Sequence, residues 1–251
     1  DSIPGASAVN TITFRGNGNT IKFSSTDTDE RAVIKLRRTD HVTFDSLVID
    51  ATGTGDYGFG VQLINNADSN TIRKCRILTS TTETYTEYAG IVVNASESSA
   101  TTSGATLCDG NTFDRNIIIG GYYGVTLYGD DDKMLKNNRV TNNDIREFYS
   151  TGISISYSAN GLVEGNTISR PTRTNSSYTV TGISVYYESN KLVVSRNTIT
   201  NPFGGEPNST NDFYGIYVQY ANAEEGQENL IVNNLLYNIN GKSYQYGITN
   251  Y

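Results

Sequence analysis

The chain has 251 residues, a net charge of −7 and a pI near 4.8, and only 18% of its residues are charged. The acidic balance excludes nucleic acid and anionic membrane surfaces as partners, since both call for a basic patch, and no apolar run reaches the 18 or so residues of a membrane-spanning helix. Hydrophobic residues (36%) recur along the whole length with 24 Gly and 18 Tyr, against 4 Pro, 1 Met and no Trp, which predicts an all-β protein with ample core rather than a helical or disordered one.

Residues 12–23, ITFRGNGNTIKF, read as a half coil, and a repeating unit follows. Its first element is a short strand: VIKL (33–36), GVQL (60–63), GIVV (90–93), GVTL (124–127), GISI (152–155), GISV (182–185), GIYV (215–218) and GITN (247–250). The second and fourth residues are nearly always aliphatic, the alternation of a half-buried strand. Successive starts lie 27, 30, 34, 28, 30, 33 and 32 residues apart. Each of the first seven strands is followed by a second element: FDSLVI (44–49), IRKCRI (72–77), FDRNII (113–118), VTNNDI (140–145), VEGNTI (163–168), VSRNTI (194–199) and IVNNLL (231–236). Its middle position is Leu47, Cys75, then Asn116, Asn143, Asn166, Asn197 and Asn234.

A period near 30 with two or three short strands per unit predicts a parallel β-helix of about eight coils. Leucine-rich and ankyrin units need helical segments, and propeller blades need four hairpin strands and longer periods. An amide side chain carries donors and an acceptor, so asparagines stacked at one corner can bond each other and the nearby backbone along the axis. Leu47 and Cys75 would end that column as apolar packing residues.

The paired motifs GIxV and NxIxxNxI resemble those of the right-handed parallel β-helix repeat proteins, the pectin-lyase-like superfamily, over residues 8–251. The resemblance implies the fold. It leaves function open, because the scaffold carries lyases, hydrolases, epimerases, tailspikes, adhesins and structural stalks. The Thr/Asn/Tyr-rich style, as in GGYYGVTLYG, also resembles repeat regions of large secreted surface proteins of bacteria. Residues 1–251 read as one β-helix domain whose two ends fall inside a coil, the pattern of a fragment with flanking domains in a longer chain.

With the aliphatic residues inward, the outward positions form a flat strip of roughly 34 Å, at about 4.8 Å per coil. Lys35, Arg37, Gln62, Ile64, Val92, Asn94, Thr126, Tyr128, Ser154, Ser156, Ser184, Tyr186 and Tyr217 lie on it, and Tyr157, Tyr187 and Tyr220 follow at strand ends. Tyr128, Tyr157, Tyr186, Tyr187, Tyr217 and Tyr220 are the candidate glycan-binding residues, because sugar rings offer apolar faces to tyrosine. The long segments at 94–110, 129–133 and 219–228 leave one corner and would fence this strip.

Three further clusters hold candidate chemistry. Asp130, Asp131 and Asp132 form an acid run in a lengthened turn. A solvated turn is the favoured reading; as hard oxygen ligands they would otherwise take calcium. They resemble the aspartate pair of polygalacturonase-like hydrolases, but the Gly-His-Gly of that family is missing and the one histidine, His41, is some three coils away. Lys35 and Arg37 lie in the one concentrated basic region, with Arg31, Arg38, Arg73, Lys74 and Arg76 nearby. Neighbouring cations can lower a lysine's pKa, so this pair would serve a uronate lyase. DYGFG (56–60) resembles a run of alginate epimerases but lacks that motif's acid and histidine. Cys75 belongs to the corner column and Cys108 lies in the long loop, out of register, with their pairing left open.

These features predict a non-catalytic stalk or adhesin of a secreted or bacterial cell-surface protein, requiring no cofactor and contacting a polysaccharide or cell-surface glycan along the tyrosines. The alternative they carry is a polysaccharide-active enzyme, a lyase before a hydrolase.

Overall fold

A computed structural model describes residues 3–251 and contains strands and turns with no helix. Three eight-stranded sheets run the length of a solenoid of about eight coils, every pairing within them being parallel and between successive coils. The first sheet runs from Ile12–Arg15 to Leu230–Val232, the second from Thr20–Lys22 to Leu235–Tyr237, and the third from Ala32–Arg37 to Gln245–Asn250. The half coil at 12–23 supplies the opening strands of the first two sheets.

Register follows the apolar columns. Ile49, Ile77, Ile118, Ile145, Ile168, Ile199 and Leu236 are paired in sequence through the second sheet. Ile34, Val61, Ile91, Val125, Ile153, Ile183, Ile216 and Ile248 do the same in the third. Within this column the isoleucines from Ile49 to Ile199 are at most 2% exposed. Each such side chain contributes about 1.5–3 kcal/mol of burial, and a one-residue slip would turn a whole strand's set outward.

The glycine that opens most third-sheet strands is a matter of space. A Cβ on Gly124 would stand 2.5 Å from the Gly152 carbonyl oxygen, and one on Gly152 would stand 2.7 Å from that of Gly182 and 2.6 Å from the Ile168 methyl. Any larger residue would push the third sheet off the second.

The second element of each coil bends between the first and second sheets. Its bend residue, Ser46, Lys74, Arg115, Asn142, Gly165, Arg196 or Asn233, has φ between 54° and 69° in six corners and 52° at Lys74. For residues other than glycine and asparagine that conformation costs about 1–2 kcal/mol, and the next side chain offsets it. Asn166 Oδ1 accepts from the Asn143 backbone N–H at 2.9 Å, while its Nδ2 donates to Val140 O at 2.8 Å and to Asn197 Oδ1 at 2.9 Å. The same bonds recur at Asn116, Asn143 and Asn197; Asn234 accepts from Asn197 and donates to Val194 O at the end of the column, and the Cys75 N–H donates to Asn116 Oδ1 at 2.9 Å.

A second amide column precedes the first sheet. The N–H of Val42 donates to Asn70 Oδ1, that of Asn70 to Asn111 Oδ1 and that of Asn111 to Asn138 Oδ1, at 2.9–3.0 Å. Gly161 and Leu192 then hold the place, and Asn229 resumes it by accepting from Leu192 N–H at 2.9 Å.

Cys108 differs from the sequence expectation. It is fully buried in the core, and its Sγ lies 3.4 Å from the Ala67 N–H as acceptor. Both cysteines are free thiols, and burial pushes Cys75 up and Cys108 up to about 11.

Candidate functional site

The outer face of the third sheet is closed over much of its length, contrary to the open strip expected. Gln62, Ile64, Val92, Asn94, Thr126, Ser154, Ser156 and Ser184 are all at most 2% exposed. The long segment 94–110 folds back across this face. Gln62 Nε2 donates to Ser96 O at 2.8 Å, Asn94 Nδ2 to Ser99 O at 2.5 Å, and Gly104 N–H to Gly129 O at 2.9 Å. The cause is apolar: Phe59, Ala89 and Val92 form an outward cluster that Ala100 covers. Left open, that patch would lie in water.

Lys35 and Arg37 fasten the same segment. Lys35 Nζ reaches Glu97 at 2.8 Å, Glu30 at 2.9 Å and Asp29 O at 2.5 Å, and Arg37 pairs with the other oxygen of Glu97. Lys35 is therefore engaged by oxygens of Glu97, Glu30 and Asp29. Arg73, expected in the same basic region, is paired with Asp45 at 2.8 Å.

Asp130 and Lys133 close a turn on each other, each N–H donating to the other's carbonyl at 3.3 and 3.2 Å. Asp131 and Asp132 point into solvent as exposed residues. Among the described residues no three His, Cys, Asp or Glu side chains converge as a metal site, and Asp130, Asp131 and Asp132 are spread along the turn.

Of the six tyrosines, Tyr128 is corrected to an interior position. It is 9% exposed, its hydroxyl shares a hydrogen bond with Ser154 Oγ at 2.9 Å, and burial pushes its phenol up to about 12. Tyr157, Tyr187 and Tyr220 each follow a third-sheet strand with φ of 48°, 36° and 53°. Their rings stack as a column, with centroids 5.6 and 5.9 Å apart and planes 15° and 22° from parallel. Tyr187 is 43% exposed and Tyr220 52%. Tyr186 and Tyr217 pack edge to face beside the column at 5.8 Å. Burial raises the phenols of Tyr157, Tyr186 and Tyr217. The ring faces inside the column are thus spent on each other, leaving edges and hydroxyls for a ligand.

Beside the column, a depression of about 270 Å³ opens on the outer face of the third sheet, lined by Tyr123, Tyr128, Thr151, Ser154, Tyr178 and Tyr186 among others. Its lining contains hydroxyls and phenols and no carboxylate, imidazole or amine. Tyr178 stands at its rim, 78% exposed. Such a surface suits uncharged hydroxyl-bearing molecules, and burial keeps its Tyr128 and Tyr186 phenols protonated near neutral pH. No repeated motif points to it, because Tyr178 and Thr179 lie in a segment of irregular length.

The turns that precede the third sheet are held by two buried arginines. Arg170, with no exposed surface, donates to Phe148 O at 2.7 Å and Pro202 O at 2.5 Å. Arg173 donates to Glu147 O at 2.8 Å and Glu83 O at 2.5 Å, and burial lowers it to about 10. Arg173 also donates to Gly121 O at 3.3 Å, so the two bind segments from five coils into one wall.

A family model described as "Right handed beta helix region" matches residues 104–251. Among solved structures, one titled "Glycoside hydrolase" is 13% identical, with a TM-score of 0.51 and an alignment covering 84% of this chain and 38% of that one. Two structures of PfbA, a surface adhesin of Streptococcus pneumoniae, are 13% and 16% identical with TM-scores of 0.42 and 0.45. They cover 94% and 92% of this chain, which spans 66% and 62% of theirs. The first of these likenesses describes the path of the chain alone and carries no activity across. No curated protein matches in sequence.

Proposed function

The chain belongs to the right-handed β-helix family, and on that scaffold we propose a rigid, non-catalytic module of a secreted or bacterial cell-surface protein that contacts a neutral polysaccharide. Contact runs along the Tyr157–Tyr187–Tyr220 column and into the hydroxyl-lined depression beside it. One observation carries this reading: the exposed aromatic surface adjoins a lining without carboxylate, imidazole or amine, whereas Lys35 and Arg37 are engaged by Glu97. Tyrosine edges and hydroxyls suit the alternating apolar and polar surface of a sugar. The ladders and buried arginines supply the stiffness that a stalk needs.

The test is binding of neutral and uronate oligosaccharides on an array, run with an absorbance assay for unsaturated products. The expected result is binding of neutral glycans that falls several-fold in Tyr187→Ala and Tyr220→Ala, without product. Turnover of a polyuronate that is lost in Lys35→Ala would replace this reading with a lyase.

A further inference from the structure

The turn Gly53–Tyr57 and the segment Glu83–Tyr88 enclose an open cleft of about 460 Å³. It lies where the third-sheet strands begin, at the opposite strand end from the tyrosine column. Tyr57 is backed by the Arg31 guanidinium, 4.1 Å from its ring centroid. Tyr88 is buried and its hydroxyl donates to Gly55 O at 2.9 Å. Tyr85 is 64% exposed at the lip and, among the described residues, packs on no other ring. Asp56, Glu83 and Glu87 complete the lining, and none of them is in an ion pair among the described residues. The Tyr88 phenol is raised first by burial and then by these three carboxylates, so one group feels all of them.

The cleft is pre-formed. Ser80 Oγ accepts from the N–H groups of Thr82 and Glu83 at 3.2 and 3.0 Å, and Arg173 holds Glu83 O from 90 residues further along the chain. Its carboxylates do not converge closely enough to chelate a metal ion. Spread carboxylates around a space of this size, with aromatic rings in its wall, suit a larger and weakly hydrated cation.

We propose that this cleft binds an organic ammonium group, such as that of a protonated amino sugar, with Asp56, Glu83 and Glu87 supplying the charge and Tyr57 and Tyr85 the ring contacts. The site is separate from the tyrosine column, and the two readings stand or fall independently.

The experiment is calorimetric titration of the whole chain at about pH 6, where the amine is charged. The probes are a glucosamine tetramer, the same tetramer N-acetylated, choline and calcium chloride. The glucosamine tetramer should bind, and acetylation should abolish the heat. About 0.5 M salt should weaken binding several-fold. Tyr85→Ala should weaken it about two- to five-fold, and the double variant Glu83→Gln/Glu87→Gln more strongly, while Tyr237→Ala, at an exposed tyrosine of the second sheet outside both surfaces, leaves it unchanged. Binding of choline as tightly as the tetramer assigns the contact to the ammonium group alone, and failure of choline assigns it to the amino sugar. Both outcomes support the site. Equal binding of the acetylated tetramer, displacement by calcium, no heat at about 10 mM probe, or an affinity unmoved in the double variant would overturn it.

Discussion

Replacing Asn166 with alanine tests the claim that the amide column, and not only the apolar core, holds successive coils in place. The side chain is fully buried. Its loss leaves the Asn143 N–H and the Val140 carbonyl without the partners they have in the column. Asn143 Nδ2 keeps its bond to Phe113 O, and Asn197 Oδ1 keeps the Asn166 N–H, so two groups and not four are orphaned. At about 1–3 kcal/mol for each buried unsatisfied group, with a small cavity added, the expected loss is about 3–5 kcal/mol. That is a large share of the 5–15 kcal/mol typical of a folded domain. Asn234→Ala is the control. Asn234 makes equivalent bonds but is only partly buried, and water can replace them at a cost of about 1 kcal/mol. Both variants are measured by urea unfolding and by amide exchange at residues 140–145, since a solenoid need not unfold as one unit. Equal losses in the two variants, or a loss below about 1 kcal/mol at Asn166, would refute the reasoning.

Three other outcomes are expected. Gly152→Ala should destabilise by about 1–3 kcal/mol or more in the same unfolding assay, because its Cβ would stand 2.6–2.7 Å from Ile168 and the Gly182 carbonyl. The double variant Lys35→Ala/Arg37→Ala should release segment 94–110 and speed its cleavage in limited proteolysis. Exposed and half-exposed ion pairs contribute only about 0–1 kcal/mol each, so the melting temperature should move little. Alkaline pH should destabilise. Cys108 rises from 9.0 to about 11 and Tyr128 from 10.0 to about 12, so each remains protonated in the fold where the unfolded chain has already ionised. Their contributions are intact below pH 9 and 10 respectively and shrink as pH climbs toward the folded values, by about 3 kcal/mol for Cys108 alone. Cys108→Ala should flatten the melting temperature between pH 9 and 10, and an unchanged slope would count against the assignment.

The coils were readable in the sequence because each depends on a local, repeated cause. Inward aliphatics at alternate positions mark a strand with one buried face. Glycine marks the place where two sheets approach too closely for a Cβ. Asn116, Asn143, Asn166, Asn197 and Asn234 recur at one offset because every corner has the same backbone groups to satisfy. The second amide column was present in the first asparagine of NxIxxNxI, at Asn70, Asn111 and Asn138, but its role depends on which neighbour each carbonyl faces.

What lies outside the repeat was decided by tertiary structure. Segment 94–110 has no counterpart of equal length in other coils, and its position is set by an apolar patch from three separate strand positions and by Glu97 meeting Lys35 more than 60 residues away. That segment covers part of a strip expected to be open, and Tyr128 turns inward onto Ser154. The same holds for Cys108, for the arginines that pin the turn wall, and for the cleft at Tyr85, which joins turns from two coils. Tyrosines spaced one coil apart could be recognised as neighbours from sequence. That they stack on one another, leaving their edges to solvent, follows from the left-handed backbone at the strand ends, which aims successive rings along the axis. The sequence by itself determined the coil, its strands and its corners, because these repeat under short-range constraints. The working surface was determined only by the fold, because it is built from irregular loops whose contacts span many coils.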